Sequence, residues 1–242
     1  MFVAASDQAI IDDVFHGLQQ FFDICDLGET RYFLGMEVAK DDGIYSISLR
    51  SYIVRTITKF GMRNAKPSRT PMNVGYSQDT EPSEPLQDGE HYRSLVGALL
   101  YIAVTAWPDI ANAVGILGRK VSSPSESDWT AAKRILRYLK GTREWKLVLG
   151  RSQAAGTCLI AYSDADWAGD VASRKSTTGS VIFFNGAISW ISRKQTPVTL
   201  SSIEAEYCAL SETSQEVVWV RRLLKNFNEE QNQPTTVFVL QI

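Results

Sequence analysis

Cysteine and histidine are scarce in this chain, and their scarcity narrows its chemistry. Cys25, Cys158 and Cys208 are the only cysteines among 242 residues, and they lie far apart. They make neither a zinc spacing nor a disulfide framework, which fits a reducing intracellular compartment, cytoplasmic or nuclear. The two histidines, His16 and His91, have no ligand-type partner nearby in sequence and read as surface or helix residues. No apolar run approaches the ~20 residues needed to cross a bilayer. The longest, Leu95 to Ala106, is broken by Gly97 and Thr105 and reads as a buried helix. Met1 to Asp7 has no positive leader, so no signal peptide and no membrane partner are expected. A net charge of −2 excludes a chain that is basic throughout.

What is present suits a globular protein. The hydrophobic share of 44% supports a real core, and the length suits two modest domains or one large one. Charge is unevenly spread. Lys133, Arg134, Arg137, Lys140, Arg143, Lys146 and Arg151 fall in one segment whose only acid is Glu144. Such a stripe either follows a phosphate backbone or is a solvated helix face, and the spacing leaves both open.

Taken in order, Phe2 to Ala5 reads as a short strand. Ser6 or Asp7 then caps a helix whose Ile10, Ile11, Val14, Phe15 and Leu18 recur at three- and four-residue steps. Arg31 to Ala39 alternates as a strand, Asp42-Gly43 turns, and Ile44 to Leu49 returns. Ser51 to Phe60 is a helix closed by Gly61. Arg63 to Glu90, rich in Pro, Ser, Asp and Gly, reads as a long surface connection or linker. Three helices follow: Tyr92 to Thr105, Pro108 to about Val121, and one from Ser125 that Gly141 stops. Trp145 to Leu149 is a strand and Arg151 to Thr157 a second linker.

The remaining stretch carries the chemistry. Cys158 to Tyr162 is an apolar run ending in carboxylates, Asp164 and Asp166. Ser180 to Phe184 and Ala187 to Ser192 flank Asn185-Gly186, the strongest short hairpin signal. Ser201-Ser202 then opens a helix to about Phe227, with Glu204 and Glu206 in its first turns and an apolar stripe of Ile203, Tyr207, Leu210, Val217 and Leu224. Thr236 to Leu240 is a last strand. This order can set Asp164 and Glu206 together at one end of a sheet, where paired carboxylates suit Mg²⁺, a hard ion that takes oxygen ligands. The plainer reading is that strand ends favour Asp in turns and helix starts favour Glu by the dipole.

Four motifs carry a resemblance: Tyr162-Ser163-Asp164-Ala165-Asp166-Trp167-Ala168-Gly169-Asp170, Arg174-Lys175-Ser176-Thr177-Thr178-Gly179, Ser189-Trp190-Ile191-Ser192-Arg193-Lys194-Gln195, and Leu200-Ser201-Ser202-Ile203-Glu204-Ala205-Glu206-Tyr207. In this order and spacing they resemble the ribonuclease H domain of copia-type retrotransposon Pol polyproteins. Upstream, Asp26-Leu27-Gly28-Glu29 with Tyr32-Phe33-Leu34-Gly35-Met36-Glu37 resembles the segment just after the polymerase site of the same family's reverse transcriptases. Tyr92 to Gly97, Trp107 to Ala111 and Arg137 to Thr142 resemble its thumb and connection region.

The resemblance implies an α+β chain: a palm remnant over 1–62, a linker over 63–90, a helical thumb or connection region over 91–150, and a truncated ribonuclease H-like mixed sheet with a long packed helix over 156–242. It implies that Asp164 and Glu206 are the first two of four nuclease carboxylates, acting as catalytic and metal-holding residues for Mg²⁺. Leu240-Gln241 stands where the family has its third, an Asp-Asn pair. Asp166 and Asp170 belong to the motif without matching a ligand position. The polymerase's Tyr-Val-Asp-Asp motif precedes the matched segment, and Asp12-Asp13, inside a helical pattern, does not replace it. Two carboxylates hold Mg²⁺ weakly. The expectation is therefore a polyprotein fragment without polymerase or nuclease turnover. The alternatives are a hybrid-cleaving ribonuclease with residual metal-dependent activity, or a non-catalytic remnant that binds RNA–DNA hybrid or other nucleic acid.

Overall fold

The computed structural model describes residues 1, 3–5, 7–76, 83–150 and 158–239. Helix and strand are mixed, in keeping with the expected α+β class. The Asp7 carboxylate accepts from the Ala9 N–H and starts α1 (Gln8–Gln19). Its apolar side is real but uncovered: α1 buries none of its residues, and Ile10 and Val14 are exposed. The strand expected over Phe2 to Ala5 is not formed at residues 3–5, and Phe2 and Ser6 lie outside the described residues.

Arg31 to Ala39 is two strands where one was expected. β1 (Tyr32–Phe33) folds back on β2 (Met36–Asp41) through Leu34-Gly35. Both turn residues have positive φ, 50° and 85°, which suits a two-residue hairpin turn. Only Gly35 advertises that conformation, so the alternating pattern concealed the break. β3 (Ile44–Ser48) returns across Asp42-Gly43 as expected. The first sheet thus begins β1-β2-β3.

The helices between the two sheets build the larger core. α2 (Arg50–Lys59) ends before Gly61, at φ 69°. α3 (Gly89–Thr105) is capped by Asp88. A 3₁₀ turn, Pro108–Ile110, leads into α4 (Ala111–Gly118), which stops short of Val121. α5 (Glu126–Thr142) opens with a capping box between Ser125 and Asp128 and runs through Gly141, so the expected stop falls inside its last turn. Leu49, Ile53, Leu95, Leu99, Ile135 and Leu136 are fully buried among these helices. β4 (Leu147–Leu149) then closes the first sheet against β3.

Where it is described, the 63–90 stretch is tied to that core. The Ser68 N–H donates to the Arg137 carbonyl, and the Leu86 N–H donates to that of Pro124. Arg134 donates to Thr70, Arg137 to the Lys66 carbonyl, and Lys140 to the carbonyls of Arg63 and Ala65. Three cations of the basic stripe therefore hold this segment in place. The 151–157 linker lies outside the described residues.

The second sheet contains β5 (Ile160–Asp166), β6 (Thr177–Phe183), β7 (Ala187–Lys194) and β8 (Thr236–Val239). Its order is β7-β6-β5-β8, with β8 parallel to β5 and the other pairs antiparallel. The hairpin turns at Asn185-Gly186 as the sequence foretells. Gly186 has φ 147°, and a Cβ there would stand 2.5 Å from the Val148 carbonyl oxygen, so the turn sits tight against β4. The Gly150 N–H donates to the Asn185 carbonyl at 2.6 Å, and Trp190 Nε1 donates to the Ala103 carbonyl at 2.8 Å. The second sheet is thereby fastened to the helical part.

α6 (Ser202–Asn226) packs on this sheet, but not with the face expected throughout. Val217 and Leu224 are buried, whereas Ile203 and Tyr207 are 67% and 69% exposed. Ala205, Ala209 and Thr213 face inward in the N-terminal half. Small residues let a helix approach a sheet closely, and a stripe chosen for its large apolar residues misses that preference.

Candidate carboxylate site

β5 does not end before its carboxylates. It continues through Asp166, pairing Asp164 with Gly179 and Asp166 with Thr177. The ladder carries the strand through residues that a turn reading treats as its end. Asp164 consequently has a fixed register within the strand, two residues before the end that it was expected to form.

The helix brings the second carboxylate. Ser201 Oγ accepts from the Glu204 N–H, and Glu204 Oε2 accepts from the Leu200 N–H, so the start of α6 is capped on both sides. With Ala205 fully buried beneath it, the first turn lies low on the sheet. Glu206 then sits beside the Ala165 N–H and within the electrostatic reach of Asp164. Burial raises the Glu206 carboxyl above its usual range, and the Asp164 charge raises it further, against the opposing Ala165 N–H. Glu206 Oε2 is buried and has no hydrogen-bond partner.

Around this pair the interior is polar. Ser176 Oγ pairs with Thr199 Oγ1 at 2.8 Å and accepts from the Ala168 N–H at 3.1 Å. Trp167 Nε1 donates to the Thr199 carbonyl. Gln195 Nε2 donates to Thr178 Oγ1 and to the Ala205 carbonyl. Thr213 Oγ1 donates to Ser163 Oγ at 3.1 Å. Ser163, Trp167, Ser176, Thr178 and Gln195 figure in the sequence only as parts of the motifs that carry the resemblance, and Thr199 and Thr213 lie outside those motifs. The signal was available in the concentration of Ser and Thr on β6, where alternation alone marks a half-buried strand.

Asp170, a motif acid that matches no ligand position, is held by cations. Its Oδ2 meets Lys194 Nζ at 2.9 Å and Arg119 Nη1 at 3.4 Å, while Oδ1 accepts from the Ser173 N–H and hydroxyl. Burial alone would raise its carboxyl. The hydrogen bonds from Lys194 and Ser173 outweigh that and hold it well below the usual carboxylate range. Arg119 follows α4, so this ion pair joins the helical part to the loop after β5. A cleft of about 320 Å³ lies there, lined by Asn112, Ile116, Arg119, Asp166, Asp170 and Thr177, among others. A Cβ at Gly169 would stand 2.0 Å from Asp166 Oδ2, so a larger residue there would have to displace that carboxylate.

Among the described residues, no group of three His, Cys, Asp or Glu side chains is placed to hold a metal ion. Asp164 and Glu206 are a pair, and Leu240-Gln241 lies outside the described residues. No described helix is long and apolar enough to cross a membrane.

A reverse transcriptase (RNA-dependent DNA polymerase) family model matches residues 1–74. The chain is 38% identical over 242 aligned positions to the retrovirus-related Pol polyprotein from transposon TNT 1-94 of Nicotiana tabacum, covering 96% of this chain and 18% of that protein. It is 36% identical to the corresponding polyprotein from transposon RE1 of Arabidopsis thaliana, over 98% of this chain and 16% of that one. It is also 52% identical over 131 positions to secreted RxLR effector protein 161 of Plasmopara viticola, covering 53% of this chain and 90% of that protein. The chain thus spans less than a fifth of the two transposon polyproteins. No solved structure matches it. The polyprotein matches run along nearly the whole chain, from the reverse-transcriptase segment through both carboxylates, and the chain belongs to the Pol polyproteins of copia-type retrotransposons.

Proposed function

We propose that this chain is the reverse transcriptase/ribonuclease H region of its polyprotein. Residues 1–62 are read as the end of the palm, 63–90 as a connection, 91–150 as thumb and connection, and 156–242 as a ribonuclease H-like part. Asp164 and Glu206 are the catalytic, metal-holding carboxylates of a site for RNA–DNA hybrid. One observation carries this reading: Glu206 is drawn into the sheet beside Asp164 with an oxygen buried and unpartnered. A buried carboxylate oxygen is costly without a partner, and a second carboxylate beside it makes the cost worse. A divalent cation relieves both, and the all-oxygen donor set fits Mg²⁺.

Mg²⁺ bound there would activate water and stabilise the leaving oxygen of a phosphodiester. The chain's own residues hold and orient. The β5 ladder fixes Asp164, the capped first turn of α6 presents Glu206, and the Ala165 N–H steadies the Glu206 carboxylate. Two carboxylates bind Mg²⁺ weakly unless substrate phosphates add ligands. The 242-residue chain alone is therefore expected to bind hybrid and turn it over negligibly. The compartment proposed is intracellular, where thiols remain reduced.

The test is hybrid binding and cleavage in Mg²⁺ and in Mn²⁺, with Asp164→Asn alongside. Metal-dependent retention of hybrid that Asp164→Asn weakens supports the site. Robust cleavage abolished by Asp164→Asn supports the site and overturns the expected weakness. Binding and cleavage both indifferent to the metal and to Asp164→Asn would refute it.

A second, non-catalytic reading rests on the basic ridge. Arg63, Lys66 and Arg69 lie on the segment that Arg134, Arg137 and Lys140 tie down, so the positive charge is gathered along one side of α5. Such a ridge suits a phosphate backbone, and its binding should fall with added salt.

A further inference from the structure

Gln195 follows the last residue of β7 and is only 2% exposed. Its backbone N–H donates to the Ser176 carbonyl at 2.8 Å. Its side-chain Nε2 donates to Thr178 Oγ1 at 3.2 Å and to the Ala205 carbonyl at 2.9 Å. A carbonyl can only accept, so the amide is oriented with its NH₂ toward the helix.

Each partner adjoins a carboxylate position. Thr178 pairs across the sheet with Ala165 and precedes Gly179, which pairs with Asp164. Ala205 immediately precedes Glu206 in the first turns of α6. The caps at Ser201 and Glu204 fix where the helix starts, but they bond within the helix entry and not to the sheet. Two hydrogen bonds tie this end of α6 to the strand layer: the Ala165 N–H on β5 donates to the Glu206 carboxylate itself, and Gln195 donates to the Ala205 carbonyl of the helix backbone. Further along, Thr213 makes the next such link, to Ser163.

We propose that Gln195 is a positioning residue that sets the separation of Asp164 and Glu206 by clamping the first turn of α6 to β6. This rests on the reading of that pair as a divalent-cation site. A fixed spacing matters because a small divalent ion tolerates little change in its ligand distances. Partners that orient metal ligands typically change affinity by about 10- to 100-fold when removed.

The experiment uses the full 242-residue chain and Mn²⁺ alone as the probe. Affinity is read from paramagnetic broadening of the amide signals of residues 164–166 and 206. Gln195→Met keeps length and bulk but donates nothing, and it should weaken Mn²⁺ binding about 10-fold or more. Thr178→Val removes one of the two bonds and should give a smaller loss. Leu224→Ala is the control for mere destabilisation. It opens the core far along α6 and should lower the Tm while leaving affinity within about twofold. Gln195→Met binding Mn²⁺ as tightly as the wild type would overturn the inference. So would a loss in Leu224→Ala equal to that in Gln195→Met. Should Gln195→Met fail to fold, Thr178→Val decides, and wild-type affinity there overturns the proposal. If wild-type broadening is absent or unchanged by Asp164→Asn, the cation site itself fails and Gln195 has nothing to position.

Discussion

The two cores of this molecule are built from different materials. The helical part buries large aliphatic side chains, Leu95, Leu99, Ile102, Leu117, Ile135, Leu136 and Leu139, essentially to zero exposure. The second sheet and α6 bury few large apolar residues, chiefly Leu159, Ile182, Val217, Val220 and Leu224. That interior also holds the small Ala161, Ala205 and Ala209 and a set of polar residues that includes Ser163, Ser176, Thr178, Gln195, Thr199 and Thr213. Apolar burial is strong but non-directional. Hydrogen bonds add little net stability but fix distance and angle. The first core supplies stability, and the second places groups, where the carboxylates are.

The largest expected effect lies in the first core. Leu136→Ala should lower unfolding free energy by about 2–5 kcal/mol in urea melts, through lost transfer energy and a cavity. A cost below about 1 kcal/mol would mean that the helical core is looser than its burial implies.

Next is the junction between the two parts. Gly186→Ala would set a Cβ against the Val148 carbonyl at a φ of 147°. Strain of about 1–3 kcal/mol is expected, seen as a lowered Tm. An unchanged melt would show that the hairpin turn does not rest on β4 as described.

The Asp170 clasp should come next. Asp170→Asn leaves Lys194 and Arg119 without their shared counter-ion and should cost about 2 kcal/mol at neutral pH. The folded carboxyl is held below its ordinary value of 3.8. Its stabilisation is therefore fully present above that value and is lost as pH falls from there through the folded pKa. In Asp170→Asn, that part of the acid sensitivity should disappear. A variant with the wild-type acid profile would show that the clasp contributes nothing on the acid side.

Sequence reading reached most of the helices and strands and the nearness of Asp164 to Glu206. Turns with glycine in second position, Asp42-Gly43 and Asn185-Gly186, were legible because positive φ demands such residues. Leu34-Gly35 was not, because Leu34 adopts positive φ with no side-chain signal for it. Asp164 and Glu206 were legible from motif and order. Their setting was not, because strand pairing carries β5 through Asp166 and because Ala205 and Ala209, not Ile203 and Tyr207, meet the sheet. Periodicity weighs residue size, whereas close approach of α6 favours small side chains. Gln195, Ser176 and Thr199 stayed hidden because a buried polar group acquires meaning only from partners distant in sequence.

The most direct test of the carboxylate site as one electrostatic unit is the titration of Glu206 itself, followed by the ¹³C shift of its carboxyl carbon. The account predicts a pKa above the ordinary 4.5 in the wild type, because burial and the Asp164 charge both disfavour ionisation. In Asp164→Asn it should fall back part of the way, since burial remains. A Glu206 that titrates at its ordinary value, and does so unchanged in Asp164→Asn, would contradict the pairing on which the proposed site depends.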